Sequence, residues 1–272
     1  MTHSITNTLD TNKQNAHLTF KQNQHNGRHG WLRLTPAYSV KLVNTILAEH
    51  EYAKSVLDPF SGTGTTALCA AYAGFQATGL EINPFLVWFS QVKSRTFTHA
   101  VIEKTQSLGA IIADASSFPE SPAAEEPPIH NISRWWGTHE LQFLCRLKAG
   151  IENTSDEGSD ERDLLLVAFC RVVIKLSNAS FNHQSMSFRK KDDAPLLFDL
   201  ELDYSSVFLR ELTVVLEGAA DNPSIHPAIV AGDARQSSRF VSAAYDMLVT
   251  SPPYPNRISY IRELRPYMYW LG

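Results

Sequence analysis

Two adjacent prolines stand between a hydroxyl and a phenol ring, directly after a short apolar run. Residues 245–249 read YDMLV and residues 250–254 read TSPPY. Each proline fixes its φ angle and lacks an amide donor. The Ser251 hydroxyl and the neighbouring carbonyls are therefore left as hydrogen-bond acceptors, and the Tyr254 ring can stack on a planar ligand. Such a loop suits the exposed amino group of a nucleobase.

A glycine-rich turn between two predicted strands is the second feature with chemical meaning. Residues 56–66 read VLDPFSGTGTT, an Ala-rich helical stretch follows, and residues 77–84 read ATGLEINP. Glycines let a ligand approach the backbone closely at a helix N-terminus. Glu81 stands 23 residues after Asp58, at the end of the second strand, where an acid suits a ribose diol. The pattern predicts a site for a ligand that contains a nucleoside.

Together these motifs resemble those of the S-adenosylmethionine-dependent DNA methyltransferases that modify exocyclic amino groups, the N4-cytosine and N6-adenine enzymes. Residues 58–64 resemble their cofactor motif and residues 250–254 their catalytic motif; the resemblance covers roughly 30–95 and 225–272. It implies methyl transfer from S-adenosyl-L-methionine to double-stranded DNA, without a metal, within a restriction–modification system. The serine at position 251 favours N4 of cytosine over N6 of adenine.

The resemblance also implies roles for individual residues. The catalytic residues would be Ser251, Pro252, Pro253 and Tyr254. Within the cofactor site, Asp58 would hold the methionine amine directly or through water, Glu81 the ribose hydroxyls, and Asp233 the adenine amine. The whole cofactor set is Thr35, Tyr38, Asp58, Phe60, Ser61, Gly62, Thr63, Gly64, Thr65, Glu81, Asn83 and Asp233.

Two alternatives stay open at this point. An RNA methyltransferase acting on a guanine amine would carry a similar loop, although Ser251 argues against it. The other alternative is a fragment that binds DNA or a partner without catalysis. Gly272 follows Tyr254 by eighteen residues, and part of the family's sheet is unaccounted for. We therefore expect a truncated or split enzyme, completed by a second polypeptide.

The hydrophobic pattern predicts an α/β chain, and the resemblance implies a Rossmann-like methyltransferase fold with an incomplete parallel sheet in the order 3-2-1-4. Thr35 is predicted to cap a helix with Pro36 in its first turn. The strands are predicted at about 54–59, 76–82, 228–233 and 245–249, and helices at 84–112, 133–152, 161–178, 199–218 and 258–271. The predicted parts are a disordered tail (1–25), a cofactor half (26–99), a helical insertion between strands two and three (100–225) and the catalytic end (226–272).

The helical insertion is longer than an ordinary connection, so it predicts a region for DNA binding or target recognition. Residues 177–191 are polar, amide-rich and aromatic and end in a basic cluster, which can read base edges and bind phosphates or else be a solvated surface. The predicted DNA contacts are Asn178, Asn182, His183, Gln184, Arg189, Lys190, Lys191 and Arg257. Trp135 and Trp136 are predicted as core anchors rather than base wedges.

Composition narrows the class of protein. At 272 residues, 43% of them hydrophobic, the chain can bury a sizeable core, and its net charge of −4 does not itself indicate a nucleic-acid partner. No apolar run approaches the length of a membrane span, and no secretory signal is visible. Cys69, Cys145 and Cys170 lack paired spacing, so we expect buried free thiols in a reducing cytoplasm and no metal site.

Overall fold

A four-stranded parallel sheet forms the centre of the fold. The computed structural model describes residues 23–24, 26–34, 39–180, 187–188, 203–241, 244–253 and 261–272. The strands are β1 (Ser55–Asp58), β2 (Gln76–Glu81), β3 (Ala179–Ser180), β4 (Ser187–Phe188), β5 (Ala228–Ala231) and β6 (Met247–Leu248). The sheet has the order β5-β2-β1-β6, and every neighbouring pair is parallel. The predicted order 3-2-1-4 is confirmed, and the fold is Rossmann-like.

Helices surround this sheet. They are α1 (Val40–Glu49), α2 (Thr65–Tyr72), α3 (Pro84–Ser94), α4 (His99–Ser116), α5 (Ile132–Trp135), α6 (Thr138–Thr154), α7 (Asp160–Lys175), α8 (Tyr204–Ala220) and α9 (Ile261–Leu271), with 3₁₀ helices at Gly27–Gly30 and Ala234–Arg239. The single helix predicted over 84–112 is two helices. Arg95 ends α3 in an extended conformation, and the Thr98 side chain caps α4 by accepting a hydrogen bond from the Val101 amide at 3.3 Å.

The helix that follows the glycine-rich turn is buried along most of its length. Ala67, Ala70 and Ala71 of α2 are each at most 1% exposed, since small side chains let the helix lie close to the sheet. α2 packs on β1 and β2, and α1 packs on α2. A compact apolar cluster that includes Val56 and Ile229 joins these elements and fixes where the turn stands.

The helices between β2 and β5 share one large apolar cluster, which is separate from the cluster around the sheet. Phe89 of α3, Leu165 of α7, Phe208 of α8 and Trp270 of α9 belong to one large apolar cluster, which continues through α4 and α6. Trp136 is 1% exposed in the same cluster. Trp135, its neighbour, is also buried, so the prediction of two core tryptophans is confirmed. The helical region is thus packed directly on the helices that border the sheet.

A segment near the N-terminus is buried, and it starts at a lower residue number than the sequence predicted. Asn23 is buried, and its Oδ1 accepts a hydrogen bond from the Val40 amide at 3.0 Å. Arg28, which is 1% exposed, donates to the carbonyls of Gly218 and Ala219 at 2.9 and 2.8 Å, at the end of α8, where carbonyls run short of helical partners. Asn23 therefore belongs to the folded part of the chain although it lies in the tail predicted over 1–25; residues 1–22 and 25 of that tail lie outside the described residues.

The start of α1 also corrects the sequence analysis. The helix begins at Val40, and the Ser39 hydroxyl caps it by accepting a hydrogen bond from the Lys41 amide at 3.2 Å. The prediction that Thr35 caps this helix is wrong, because Ser39 offers a capping hydroxyl one turn later. Thr35 and Tyr38 themselves lie outside the described residues.

The remaining composition-based expectations can be checked on the described residues. Cys69, Cys145 and Cys170 are free and buried, as predicted. Within the described ranges, no helix is long and apolar enough to cross a membrane. The same ranges contain no group of three or more His, Cys, Asp or Glu side chains arranged to hold a metal ion.

Candidate active site

A cavity of about 520 Å³ lies where the parallel strands end at their carboxyl edge. This is the edge at which α/β sheets generally bind ligands. The cavity brings together the turn after β1, the end of β2, the start of the 3₁₀ helix after β5 and the loop after β6. Its lining residues are Leu34, Pro59, Phe60, Ser61, Gly62, Thr63, Thr65, Leu80, Glu81, Ile82, Asn83, Pro84, Leu86, Gly232, Asp233, Ala234, Ser251, Pro252, Pro253, Ile261 and Leu264.

The turn after β1 depends on two left-handed glycines. Gly62 has φ +53° and Gly64 has φ +72°, a region that costs other residues roughly 1–2 kcal/mol. Gly64 precedes α2 as its N-cap, and a Cβ there would lie 3.1 Å from the Ser90 Cβ. The Ser90 hydroxyl donates to the Gly62 carbonyl at 2.9 Å. By contrast, a Cβ on Gly62 would meet nothing nearer than 4.0 Å, so that face of the turn is open.

Ser61 ties the same turn to β2. Its amide donates to the Leu80 carbonyl at 2.9 Å, and its carbonyl accepts from the Gly64 amide at 2.8 Å. The side chain is 3% exposed and fits because residue 79 is glycine: a Cβ there would stand 2.3 Å from the Ser61 Oγ. The turn is therefore held against β2 by backbone hydrogen bonding and close packing.

Glu81 closes the second side of the cavity from the end of β2. Its Oε2 accepts a hydrogen bond from the Gly62 amide at 2.9 Å, and its Oε1 accepts from the Asn83 amide at 2.8 Å. Burial raises the pKa of Glu81 above its ordinary value, while hydrogen bonds from the Asn83, Gly62 and Ile82 amides lower it in part. A carboxylate offers about four acceptor positions, so acceptor capacity remains available to a ligand.

Asp58, predicted to hold the methionine amine directly or through water, is buried at the end of β1. The carboxylate is 1% exposed, and Oδ1 accepts from the Phe60 amide at 3.1 Å and from the Thr250 hydroxyl at 2.7 Å. Asp58 is not among the described residues that line the cavity. Its side chain therefore joins the turn after β1 to the loop after β6. The sequence motif identified Asp58 as the start of the glycine-rich turn, but it could not show that the Thr250 hydroxyl would be its hydrogen-bond partner.

Asp233 follows β5 and lines the cavity from that side. It is the N-cap of the 3₁₀ helix Ala234–Arg239, and Oδ1 accepts from the Arg235 amide at 2.9 Å. The Arg235 guanidinium also binds this carboxylate, with Nη2 2.6 Å from Oδ2, and lowers the pKa of Asp233. Arg235 is itself 84% exposed, so the pair lies at the edge of the cavity rather than inside it.

The remaining predicted cofactor residues support the local structure. Asn83 caps α3 by accepting from the Leu86 amide at 3.2 Å, and its Nδ2 lies 3.6 Å from the Met268 sulfur of α9. The Thr63 and Thr65 hydroxyls are 3.3 Å apart at the start of α2. All three of the predicted residues line the cavity.

The loop after β6 brings the predicted catalytic residues to the same cavity. Ser251, Pro252 and Pro253 line it; Ser251 is half-buried, and both prolines are exposed. Thr250 anchors the loop through Asp58. Tyr254, the fourth predicted catalytic residue, lies outside the described residues.

Sequence reasoning missed most of the apolar wall of the cavity. Ile82 is 67% exposed and Ile261 is 53% exposed, and both line it together with Leu34 and Leu264. Ile82 could have been found, since it follows the acid at the end of β2. The α9 residues carry no local signal, because their contribution depends on how a distant helix folds back over the sheet.

The predicted DNA-binding stretch contains the two strands of a short antiparallel ribbon. β3 pairs with β4, and Phe188 packs edge-on against Trp135 with ring centroids 5.1 Å apart. Asn178 is exposed, and its backbone amide donates to the Trp135 carbonyl at 2.7 Å. The other predicted DNA contacts lie outside the described residues: Asn182, His183, Gln184, Arg189, Lys190, Lys191 and Arg257.

Comparison with curated proteins fits this arrangement. The chain is 24% identical over 280 residues to the type II methyltransferase M.AvaI of Nostoc sp. and of Anabaena variabilis, an alignment that covers 90% of this chain and 54% of that protein. It is 20% identical over 288 residues to the type II methyltransferase M.BsoBI of Geobacillus stearothermophilus, covering 94% of this chain and 55% of that protein. The chain is thus similar to curated type II methyltransferases over nine-tenths or more of its own length.

The chain spans about half the length of the curated type II methyltransferases that it matches. A shorter similarity links it to an ATP synthase lysine N-methyltransferase of Xenopus laevis, 36% identical over 63 residues, or 23% of this chain and 28% of that protein. No family model matches the chain. No solved structure matches it either.

Proposed function

We propose that this protein transfers a methyl group from S-adenosyl-L-methionine to an exocyclic amino group of a base in double-stranded DNA, N4 of cytosine ahead of N6 of adenine. One observation carries the proposal: the glycine-rich turn, Glu81, Asp233 and the loop of Ser251 surround the same cavity. The relatives support DNA as the substrate, because type II methyltransferases modify DNA in restriction–modification systems.

The residues around the cavity fit S-adenosyl-L-methionine. The volume of about 520 Å³ lies in the range typical of small-molecule sites. The remaining acceptor capacity of Glu81 suits ribose hydroxyls, and the open face of Gly62 lets a ligand lie against the turn. Phe60 and Ile82, which are 39% and 67% exposed, offer apolar surface to an adenine ring. We assign the adenine amine to Asp233.

When bound, the cofactor would supply a methyl group: the bond from its sulfonium sulfur to the methyl carbon breaks and leaves a neutral thioether, the new N–C bond forms, and the methylated amine gives up one proton to solvent. The chain's own task is to prepare the accepting nitrogen, whose lone pair is delocalised into the base. Acceptors around the amine favour a more tetrahedral nitrogen, and the Ser251 hydroxyl and Pro252 carbonyl would serve as those acceptors. Such preorganised groups act by alignment and by electrostatics. Tyr254 would stack on the base, which must leave the duplex to reach the cavity.

Asp58 has a positioning role in this proposal. Because its carboxylate already binds the Phe60 amide and the Thr250 hydroxyl, it holds the turn after β1 and the loop after β6 in one arrangement. We propose that this bridge sets the separation between the methyl donor and the accepting amine. The DNA contacts predicted over 178–191 and at Arg257 stay predictions.

The test is to incubate the full chain with methyl-tritiated S-adenosylmethionine and unmethylated genomic DNA, and then to separate the nucleosides by chromatography. Label in N4-methylcytosine is the expected result. Label in N6-methyladenine would keep the class of reaction and overturn the choice of base. A duplex that contains A·T pairs alone serves as the matched control and should accept no label. Label at C5 of cytosine, or no label in any DNA, would contradict the proposal.

We propose further that the β6 edge of the sheet pairs with another strand, supplied by a second polypeptide. β6 is the last strand in the sheet order, and Leu248 on it is 62% exposed. Exposed apolar edges favour strand pairing, and a lysine on the edge opposes it. Sedimentation of the isolated chain should show concentration-dependent association that Leu248→Lys reduces. A parent chain that stays monomeric at every concentration would contradict this arrangement.

A further inference from the structure

Helix α9 has two distinct faces. Leu264, Tyr267 and Trp270 are each at most 4% exposed and pack into the large apolar cluster. The opposite face is exposed and consists of Ile261, Arg262, Arg265 and Tyr269. At 100° per residue these four side chains share one stripe of the helix. The stripe, which we call the basic face of α9, combines two cations with an isoleucine and a phenol ring.

The cations of this face have no partner in the described part of the chain, in contrast to arginines elsewhere. Arg95 binds Asp160 and Asp163 at 2.6 and 2.8 Å, and Arg171 binds Glu211 at 2.7 Å. No hydrogen bond or ion pair joins Arg262 or Arg265 to another described residue. Glu263, the one acid of α9, is half-buried rather than exposed between them. Two adjacent guanidinium groups are therefore available to an anion.

The basic face is continuous with the cavity. Ile261 belongs to the face and also lines the cavity, and Leu264 lines it from the buried side of the same turn. Arg265 stands one helical turn after Ile261, on the same side. Arg262 and Arg265 are three residues apart, so their Cβ atoms are roughly 5–6 Å from each other. This places a pair of cations next to the opening through which a base would enter.

We propose that the basic face of α9 binds the phosphate backbone of the DNA strand that delivers its base to the cavity. This inference rests on the proposed function and adds the surface that positions the substrate. Arg262 and Arg265 contact phosphates, which fixes the register of the DNA without reading its sequence. Tyr269 continues the same surface away from the cavity. The occupant is DNA because both charges are positive, have no partner among the described residues, and lie beside a cavity lined by the predicted base-binding loop.

The test compares the parent with Arg262→Gln/Arg265→Gln and with a matched control, Lys54→Gln/Arg210→Gln. The control removes two exposed positive charges from elements that do not line the cavity; Lys54 precedes β1, at the opposite edge of the sheet. Binding of a fluorescent duplex is followed by anisotropy over a range of potassium chloride concentrations. Calorimetry with S-adenosylhomocysteine shows for each variant that the cavity is intact.

The Arg262→Gln/Arg265→Gln variant should bind S-adenosylhomocysteine like the parent. Its slope of log affinity against log salt should fall by up to about 0.9 for each lost phosphate contact. The control pair should keep the parent's slope. An unchanged slope in the α9 variant, or an equal loss in the control, would overturn the inference while leaving the proposed function standing. A parent that binds S-adenosylhomocysteine but no duplex at low salt would overturn both.

Discussion

The loops after β1 and after β6 border one cavity, but they are held in place very differently. The turn after β1 has its backbone fixed by hydrogen bonds to Leu80 and Glu81, and two left-handed glycines give it its shape. In the loop after β6, the Thr250 hydroxyl reaches the Asp58 carboxylate, and the prolines that follow are exposed.

This difference indicates a division of labour within the proposed enzyme. The turn after β1 is a preformed support for the cofactor, so changes there should affect binding directly. The described part of the loop after β6 is anchored through the Thr250 hydroxyl, so changes there should affect the geometry of transfer more than the affinity for the cofactor. Preorganised sites generally owe their precision to such supporting contacts.

The largest effect is expected from Gly62→Val, which places a side chain on the open face of the turn. Affinity for S-adenosylmethionine should fall by about 100-fold or more, equivalent to about 2.7 kcal/mol, as measured by calorimetry. Gly74→Val is the matched control. Gly74 also has a positive φ, of +84°, and open space around it, but it does not line the cavity. Both variants should lose similar stability, and equal cofactor affinity in the two would show that the turn is misassigned.

The second effect concerns the bridge between the loops. Thr250→Val removes the hydroxyl that donates to Asp58 while keeping the shape of the side chain. The rate of methyl transfer should fall by up to about 100-fold, because small displacements of reacting groups are costly, while cofactor affinity changes little. Thr250→Ser restores the hydroxyl and should restore most of the rate. A Thr250→Val variant with the parent's rate would remove the basis for the proposed bridge.

The smallest effect on methyl transfer is expected for a buried lysine outside the cavity, which should instead affect stability. Lys93 of α3 is 1% exposed, with Nζ 5.6 Å from the Phe89 ring centroid, and it lies near Cys69 and His29. Burial lowers the pKa of Lys93 from 10.5 to about 7. The unfolded chain therefore holds this proton over a range where the folded chain has lost it, and stability rises with pH across that range.

Between pH 7 and about 8.5, below the main ionisation of unfolded cysteines, the free energy of unfolding should increase by at most about 1.4 kcal/mol per pH unit from this group. Lys93→Met should remove that increase and raise stability at pH 7, as measured by urea unfolding. The rate of methyl transfer should stay unchanged, since the substitution lies outside the cavity. An identical pH dependence in parent and Lys93→Met would show that the lysine is not neutral in the folded chain.

The sequence predicted the features that depend on local pattern. The strands and the glycine-rich turn follow from short runs of residues, and so does the position of Glu81 at the end of β2; the strand order was expected from the resemblance to the methyltransferases. The features it missed are contacts between distant segments. Arg28 binds carbonyls about 190 positions away, and Asp58 finds Thr250 across the sheet. No local pattern encodes such partners, because packing of separate elements decides them.

The most direct test of the account is single-turnover methyl transfer to DNA by Ser251→Ala, measured with cofactor at saturating concentration. Removing the acceptor hydroxyl should slow transfer by about 100-fold, by analogy with the loss of one preorganised group in other active sites, while leaving S-adenosylmethionine affinity like that of the parent. Ser251→Thr keeps a hydroxyl and should lose less. Transfer at the parent's rate in Ser251→Ala would contradict the claim that the loop after β6 prepares the accepting amine.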